Sequence, residues 1–169
     1  MQKLEELYPL ICYLRLNPPC RIVEIGSARG GTFLAFCEVA TEYAVIVSVD
    51  IEQAEEDIER MRGYAHPHQK AHFIQGDSHD PGIRRQVEDL VGYCDLLHID
   101  ADHTEEAVRA DWENYRTLLC PGGHVVFHDI SDGGPIGQLW SELAHSFWNV
   151  KFVEANGNDG WGGIGVLRI

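Results

Sequence analysis

The stretch "DLLHIDADHTEE" (95–106) crowds Asp100, Asp102 and His103 into four positions, with His98 just upstream. A second knot, "HVVFHD", sets His128 beside Asp129. Carboxylates and imidazoles are donors for a divalent cation and acceptors of a proton in general-base chemistry. Three more acids, Glu24, Asp50 and Asp77, fall at the ends of the apolar runs "RIVEIG", "AVIVSVD" and "HFIQGD". The first run continues as "VEIGSARGGT". Its Gly26, Gly30 and Gly31 let the chain turn tightly and approach a ligand before a helix begins. The spacing is not the dinucleotide pattern GxGxxG, since position 28 is Ala and Gly30 comes four positions after Gly26. Glu24 would repel a pyrophosphate and suits a ligand with a positive group.

The elements that must position these residues are legible as alternating runs. Residues 21–26, 44–50, 72–77, 95–100 and 124–129 are apolar and rich in β-branched residues, as in strands buried on both faces. Between them, "GGTFLAFCEVATE", "QAEEDIERMRGYA", "DPGIRRQVEDLVG" and "HTEEAVRADWENYRTLL" carry apolar residues at helical spacing. The alternation implies an open parallel sheet with right-handed crossovers. A further helix, "IGQLWSELAHSFW", would pack Trp140 and Trp148 on the sheet. The last runs, "VKFVEAN" and "GGIGVLRI", are too closely spaced for a crossover and should pair as an antiparallel hairpin. The leading segment reads as an amphipathic helix covering the sheet. In such a fold ligands sit beyond the carboxyl ends of the strands, where all the acids above fall. His98, inside its run, reads as a satisfied core histidine. Asp102 and His103 have a second reading, as caps of the helix starting near Thr104. The loop "SDGGPIG" (131–137) is flexible by composition and suited to closing over a substrate.

The chain has 169 residues, 27 acids against 13 Lys and Arg, and a formal net charge of -14. That balance disfavours nucleic acid, whose phosphates need a basic face. Five cysteines without a CxxC pair fit a reducing compartment. The start lacks a signal-peptide pattern, and no apolar run approaches the roughly 20 residues of a membrane span. The expectation is one cytoplasmic domain over 1–169, with 1–19 as the covering segment and no membrane partner.

In their order and spacing, "VEIGSARGGT", "VSVD", "IQGD" and "LLCPGGHVVFHD" resemble the motifs of class I S-adenosylmethionine-dependent methyltransferases. The resemblance implies a Rossmann-like, seven-stranded, mostly parallel sheet with its last strand antiparallel and helices on both faces. It implies that Glu24 and the Gly26–Gly31 loop, with Ser27, Gly30, Gly31 and Thr32, hold the methionine moiety. Asp50 and Ile51 would meet the ribose, and Asp77 with Ser78 the adenine. The family's strand order sets strands four and five side by side, about 4.8 Å apart. Asp100 and Asp129 would then repel by about 4 kcal/mol at roughly 4 Å. A shared proton, a nearby Lys or Arg, or a metal must offset this, and neither tip holds Lys or Arg. Metal-dependent O-methyltransferases are similar here, which implies Asp100, His128 and Asp129 as ligands. His128 stands where that family usually has an acid or amide, which widens the choice from Mg or Mn to Fe or Zn. His103 would be the base, with Asp100 beside it. The implied activity is methyl transfer to a hydroxyl of a small molecule. A metal-independent enzyme and a non-catalytic S-adenosylmethionine-binding module stay open, as does a homo-oligomer through the first helix.

Overall fold

The computed structural model describes residues 3–131, 133–153 and 162–169. Seven strands form one sheet: β1 (Arg21–Ile25), β2 (Val45–Asp50), β3 (Lys70–Gln75), β4 (Cys94–Ile99), β5 (Leu119–His128), β6 (Trp148–Phe152) and β7 (Ile164–Arg168). Their order is β3-β2-β1-β4-β5-β7-β6. The first five strands run parallel, while β7 is antiparallel to both β5 and β6. The expected sheet is therefore present, terminal hairpin included.

Helices cover both faces, which is why the strand runs are apolar without alternation. Val23, Val47, Leu97 and Val125 point to one side, against α4 (Pro81–Val91), α5 (Glu105–Tyr115) and α6 (Pro135–Ala144). Ile22, Ile46, Leu96 and Val126 point to the other, against α1 (Leu4–Leu14) and α2 (Gly31–Val39). Met61, from α3 (Glu55–Arg62), joins the second group. Caps set the starts of two helices. Asp80 accepts from Gly82 N–H ahead of Pro81, and Thr104 accepts from Ala107 N–H.

The sequence reading fails at the end of α6, expected to run through Trp148. The helix stops at Ala144, because the Asn149 side-chain amide donates to the Ala144 and Phe147 carbonyls and closes the last turn. Trp148 therefore lies in β6, half exposed and stacked on Tyr13 of α1 at 5.8 Å. Trp140 does pack on the sheet, over Gly165 of β7. Of the hairpin run 150–156, residues 154–156 lie outside the described residues, as does Asp132 of the loop 131–137.

The Trp140 contact yields a test of the packing. A Cβ at Gly165 would lie 2.3 Å from Trp140 Nε1. Gly165→Ala is therefore expected to destabilise the fold by about 1–3 kcal/mol. In urea unfolding the midpoint should fall while the slope stays constant.

Candidate functional site

At the carboxyl ends of the parallel strands lies a cavity of about 420 Å³. Gly26 follows β1 with φ +85°, and a Cβ there would sit 2.2 Å from the Asp100 carbonyl oxygen. Glycine thus lets the β1 and β4 tips touch backbone to backbone. Gly26 N–H donates to Val49 O and Asp100 N–H to Ile25 O, each at 2.9 Å. The tips of β1, β2 and β4 are held as one rim.

Asp50, at the β2 tip, faces that rim. Its Oδ2 accepts from Ser27 N–H at 2.9 Å and Ala28 N–H at 2.8 Å, and its Oδ1 from Glu52 N–H at 2.9 Å. Ala28 sits in the left-handed region, at φ 43°. A carboxylate offers about four acceptor positions. With three filled, Asp50 holds the glycine turn and keeps one position open toward the cavity.

The cavity lining includes Gly26, Asp50, Ile51, Asp77, Ser78 and Asp100. Glu24, Ser27, Gly30, Gly31 and Thr32 are not part of it. Ser27 is buried and accepts from the Gln53 amide at 2.9 Å. Gly30, at φ +79°, leaves room for Met61. Glu24 is fully enclosed between β2 and β4. Burial pushes its carboxyl up to about 8, with the Thr32 and Ser48 hydroxyls offsetting part of the rise. His98 Nδ1 lies 3.8 Å from Glu24 Oε1, and burial lowers this imidazole to about 4. His98 is thus a core residue, as its position in the run suggests, but its Nδ1 has no hydrogen-bond partner.

The tips of β4 and β5 bring the acid knots together. Asp129 has φ 59°, in the left-handed region that Asp adopts more readily than most residues. His128 is buried, with Nδ1 3.4 Å from Asp100 Oδ1 and 3.3 Å from Asp129 Oδ2. His103, half exposed, covers the same pair from the solvent side. Its Nε2 is 3.7 Å from Asp100 Oδ1 and its Nδ1 3.6 Å from Asp129 Oδ2. Burial opposes a charge on His128, yet the two carboxylates outweigh it and raise the ring to about 9. Asp100 and Asp129 are both lowered: burial works against ionisation, and the histidines overcome it. His103 is raised, first by its contact with Asp100.

Asp100, His103 and Asp129 each offer a donor atom, and these lie within 4.8 Å of one another. Asp129 Oδ1 is buried without a hydrogen-bond partner. Two carboxylates, one with an unmatched oxygen, suit a divalent cation such as Mg²⁺ or Mn²⁺, with His103 beside them. Thr104 caps α5, and Asp102 accepts from Thr104 N–H at 2.8 Å. Asp102 therefore takes the supporting role at the helix start, and His103 turns to the acids.

Two ionisable cavity residues escaped the sequence reading, His79 and Asp111. Asp111 had a legible signal. It shares its helix face with Ala107, Val108, Trp112 and Tyr115, all buried, so an acid interrupts an apolar stripe. His79 follows Ser78 in a polar turn and carried no such mark.

The buried Glu24 carboxyl has a consequence for stability. Its folded pKa lies above the usual carboxylate value, so its contribution is full below about 4.5 and is lost as pH rises through about 8. His128, also raised, adds a loss in the same direction above about 6.5. His98, lowered, contributes above about 6.5 and loses its share as pH falls toward 4. The difference between wild type and Glu24→Gln isolates the carboxyl. Between pH 6 and pH 8, wild type should lose about 2 kcal/mol more than the variant in urea unfolding, from a slope of about 1.4 kcal/mol per pH unit.

A family profile described as "Methyltransferase domain" matches residues 23–130. The uncharacterized protein y4gI of Sinorhizobium fredii (strain NBRC 101917 / NGR234) is 32% identical over 140 residues, covering 75% of this chain and 15% of that protein. Ribosomal RNA large subunit methyltransferase E of Natronomonas pharaonis is 24% identical over 165 residues, covering 90% of this chain and 59% of the relative. The chain thus spans less than two thirds of either relative. Among solved structures, the O-methyltransferase from Bacillus cereus in complex with SAH superimposes with a TM-score of 0.71 at 18% identity, covering 96% of this chain and 80% of that one. No helix among the described residues is long and apolar enough to cross a membrane. With the glycine turn, the acid-tipped strands and the reversed β7 in one sheet, the chain belongs to the methyltransferase-domain family.

Proposed function

We propose that this chain moves the methyl group of S-adenosylmethionine onto a hydroxyl of a small molecule, with a divalent cation held by Asp100 and Asp129. One observation carries the reading: Asp100 lies both in the cavity beside Gly26 and Asp50 and in the Asp100–His103–Asp129 group. Donor and acceptor sites therefore share a residue.

The rim fits the donor. S-adenosylmethionine carries a sulfonium and an ammonium, and the cavity presents Asp50, Asp77, Asp100, Asp102 and Asp111. Its methyl group leaves a neutral thioether, so no acid is needed at the leaving group; what the reaction needs is an acceptor hydroxyl relieved of its proton. A bound cation would lower the pKa of a coordinated hydroxyl. His103, half exposed on the open side of the two acids, takes the proton, and Asp100 and Asp129 steady the resulting imidazolium. His128 supports the same carboxylates from below.

A nucleic-acid acceptor is a second reading, favoured by the ribosomal RNA methyltransferase among the relatives. The net charge of -14 weighs against it. The expected single unit over 1–169, the cytoplasmic location and self-association through α1 belong to the same proposal.

The test follows S-adenosylhomocysteine production from a panel of hydroxyl compounds and from ribosomal RNA, before and after chelation. Activity should appear on a hydroxyl compound, vanish with chelator and return with Mg²⁺ or Mn²⁺. His103→Ala should cost about 10²–10⁴-fold in kcat. Asp129→Asn should lose turnover yet bind S-adenosylhomocysteine within a few-fold of wild type, whereas Asp50→Ala should lose that binding. Chelator-resistant activity would remove the cation from the mechanism, and transfer to RNA alone would overturn the small-molecule acceptor.

A further inference from the structure

At the end of the sheet opposite the acid-bearing tips, the last turn of α1 and the residues after it close over the starts of β4 and β5. They enclose a second cavity, of about 370 Å³, a size that suits a small molecule. Its floor follows from the strand register. Leu96 of β4 pairs with His124 of β5, and His124 pairs with Arg168 of β7. Residues directly opposite one another share a face, so the three side chains stand in one row. Leu96 comes four residues before Asp100, roughly 13 Å of strand. The cavity is thus separate from the methyl-transfer site.

Two members of the row have hydrogens to give. His124 is 9% exposed, and neither ring nitrogen has a hydrogen-bond partner among the described residues. Its ring meets Tyr13 of α1 in a T-shaped contact, with centroids 5.5 Å apart. Burial, and then the Arg168 charge, lower its pKa, so near neutral pH the uncharged ring carries one N–H. Arg168 Nε donates to the Gly122 carbonyl at 3.3 Å, while its two terminal nitrogens have no partner among the described residues. Buried donors are normally matched, and here the matching group must come from outside the chain. Asp95, the one acid in the lining, does not supply it. Its Oδ1 accepts from the Cys20 and Arg21 N–H groups at 3.1 and 2.9 Å, and its Oδ2 from the Cys20 N–H and thiol at 3.0 and 2.8 Å. Those fill the roughly four acceptor positions of a carboxylate. Most of the remaining wall is aliphatic, from Leu14, Leu16, Pro18, Pro19 and Leu96, and Leu16 is 78% exposed.

We propose that this cavity binds a small monocarboxylate with an aliphatic body, its oxygens on the Arg168 guanidinium and the His124 ring N–H and its chain against Leu14, Leu16 and Leu96. A guanidinium offers parallel N–H groups that match a carboxylate. One cation beside a neutral imidazole suits a single negative charge, and the net charge of -14 disfavours a second.

The experiment titrates nitrogen-15-labelled protein with hexanoate and follows the backbone amides by NMR, with hexanol, hexylamine and hexyl phosphate as comparators. Hexanoate should bind with a Kd on the order of 1 mM, which a ligand of that size can reach. It should shift the amides of Asn17, Leu96 and Gly122 and leave those of Gly26 and Ser78 in place. The three comparators should bind about tenfold more weakly or not at all. Each methylene added from butanoate to hexanoate should tighten binding by about fourfold. Arg168→Gln and His124→Phe should each weaken hexanoate by about tenfold. If His124→Phe does not fold, exposed Arg168 still decides the matter. Absence of binding, equal binding of hexanol, a Kd unmoved by Arg168→Gln, or shifts centred on Gly26 and Ser78 overturns the inference. Tighter binding of hexyl phosphate overturns the choice of a monocarboxylate, and a Kd unmoved in a folded His124→Phe removes the role given to His124.

Discussion

Two carboxylates at adjacent strand tips must be kept from repelling one another, and the rest of the site is arranged around that constraint. Asp100 and Asp129 meet because β4 and β5 are neighbours and because Asp129 takes a left-handed turn just beyond its strand. His128 sits beneath both acids with one ring nitrogen within 3.4 Å of each, and a buried imidazolium raised to about 9 supplies the opposing charge. His103 faces the same acids from the open side. The buried histidine keeps the pair ionised and close. The exposed one stands where protons and ligands can reach it. The strain at Asp129, of order 1–3 kcal/mol for such backbone geometry, is tolerated because neighbouring strands determine the turn.

The other acids of the rim divide by what their oxygens already hold. Asp50 uses three acceptor positions to fold the Ser27–Ala28 turn back against β2, so its first task is to shape the loop. Asp102 supports the start of α5, and Asp77 pins the His79 amide. Glu24 is withdrawn from the cavity altogether, and its raised pKa makes it a neutral neighbour of His98. An acid-rich rim is therefore less negative than its composition suggests. Asp50, Asp77 and Asp100, from three separate strand tips, line the cavity with Asp102 and Asp111.

The order of elements was legible because burial on both faces leaves continuous apolar runs, and because a short link between the last two runs forbids a crossover. The cavity side of the site was legible for the same reason: in an open parallel sheet the strand tips are where ligands meet, and acids mark them. What the sequence hid was orientation. Glu24 stands one residue before the end of β1, and its side chain points under the sheet rather than over its rim. A slip of one position along a strand exchanges faces. No spacing rule distinguishes His128 beneath the two aspartates from His128 among the groups on their open side. The end of α6 was hidden too, because Asn149 closes it from outside the helical pattern.

Asp100 shows why the two halves of the site cannot be tuned independently. Its backbone N–H and carbonyl are committed to Ile25 and to the Gly26 contact, which fixes the height of the β4 tip against the glycine turn. Its carboxylate is committed to both histidines. A shift of that tip by a fraction of an ångström would move the cavity wall and the acid pair together, because glycine has left no slack between the two backbones. The height of the cavity wall and the position of the acid pair are thus both built into the β1–β4 junction.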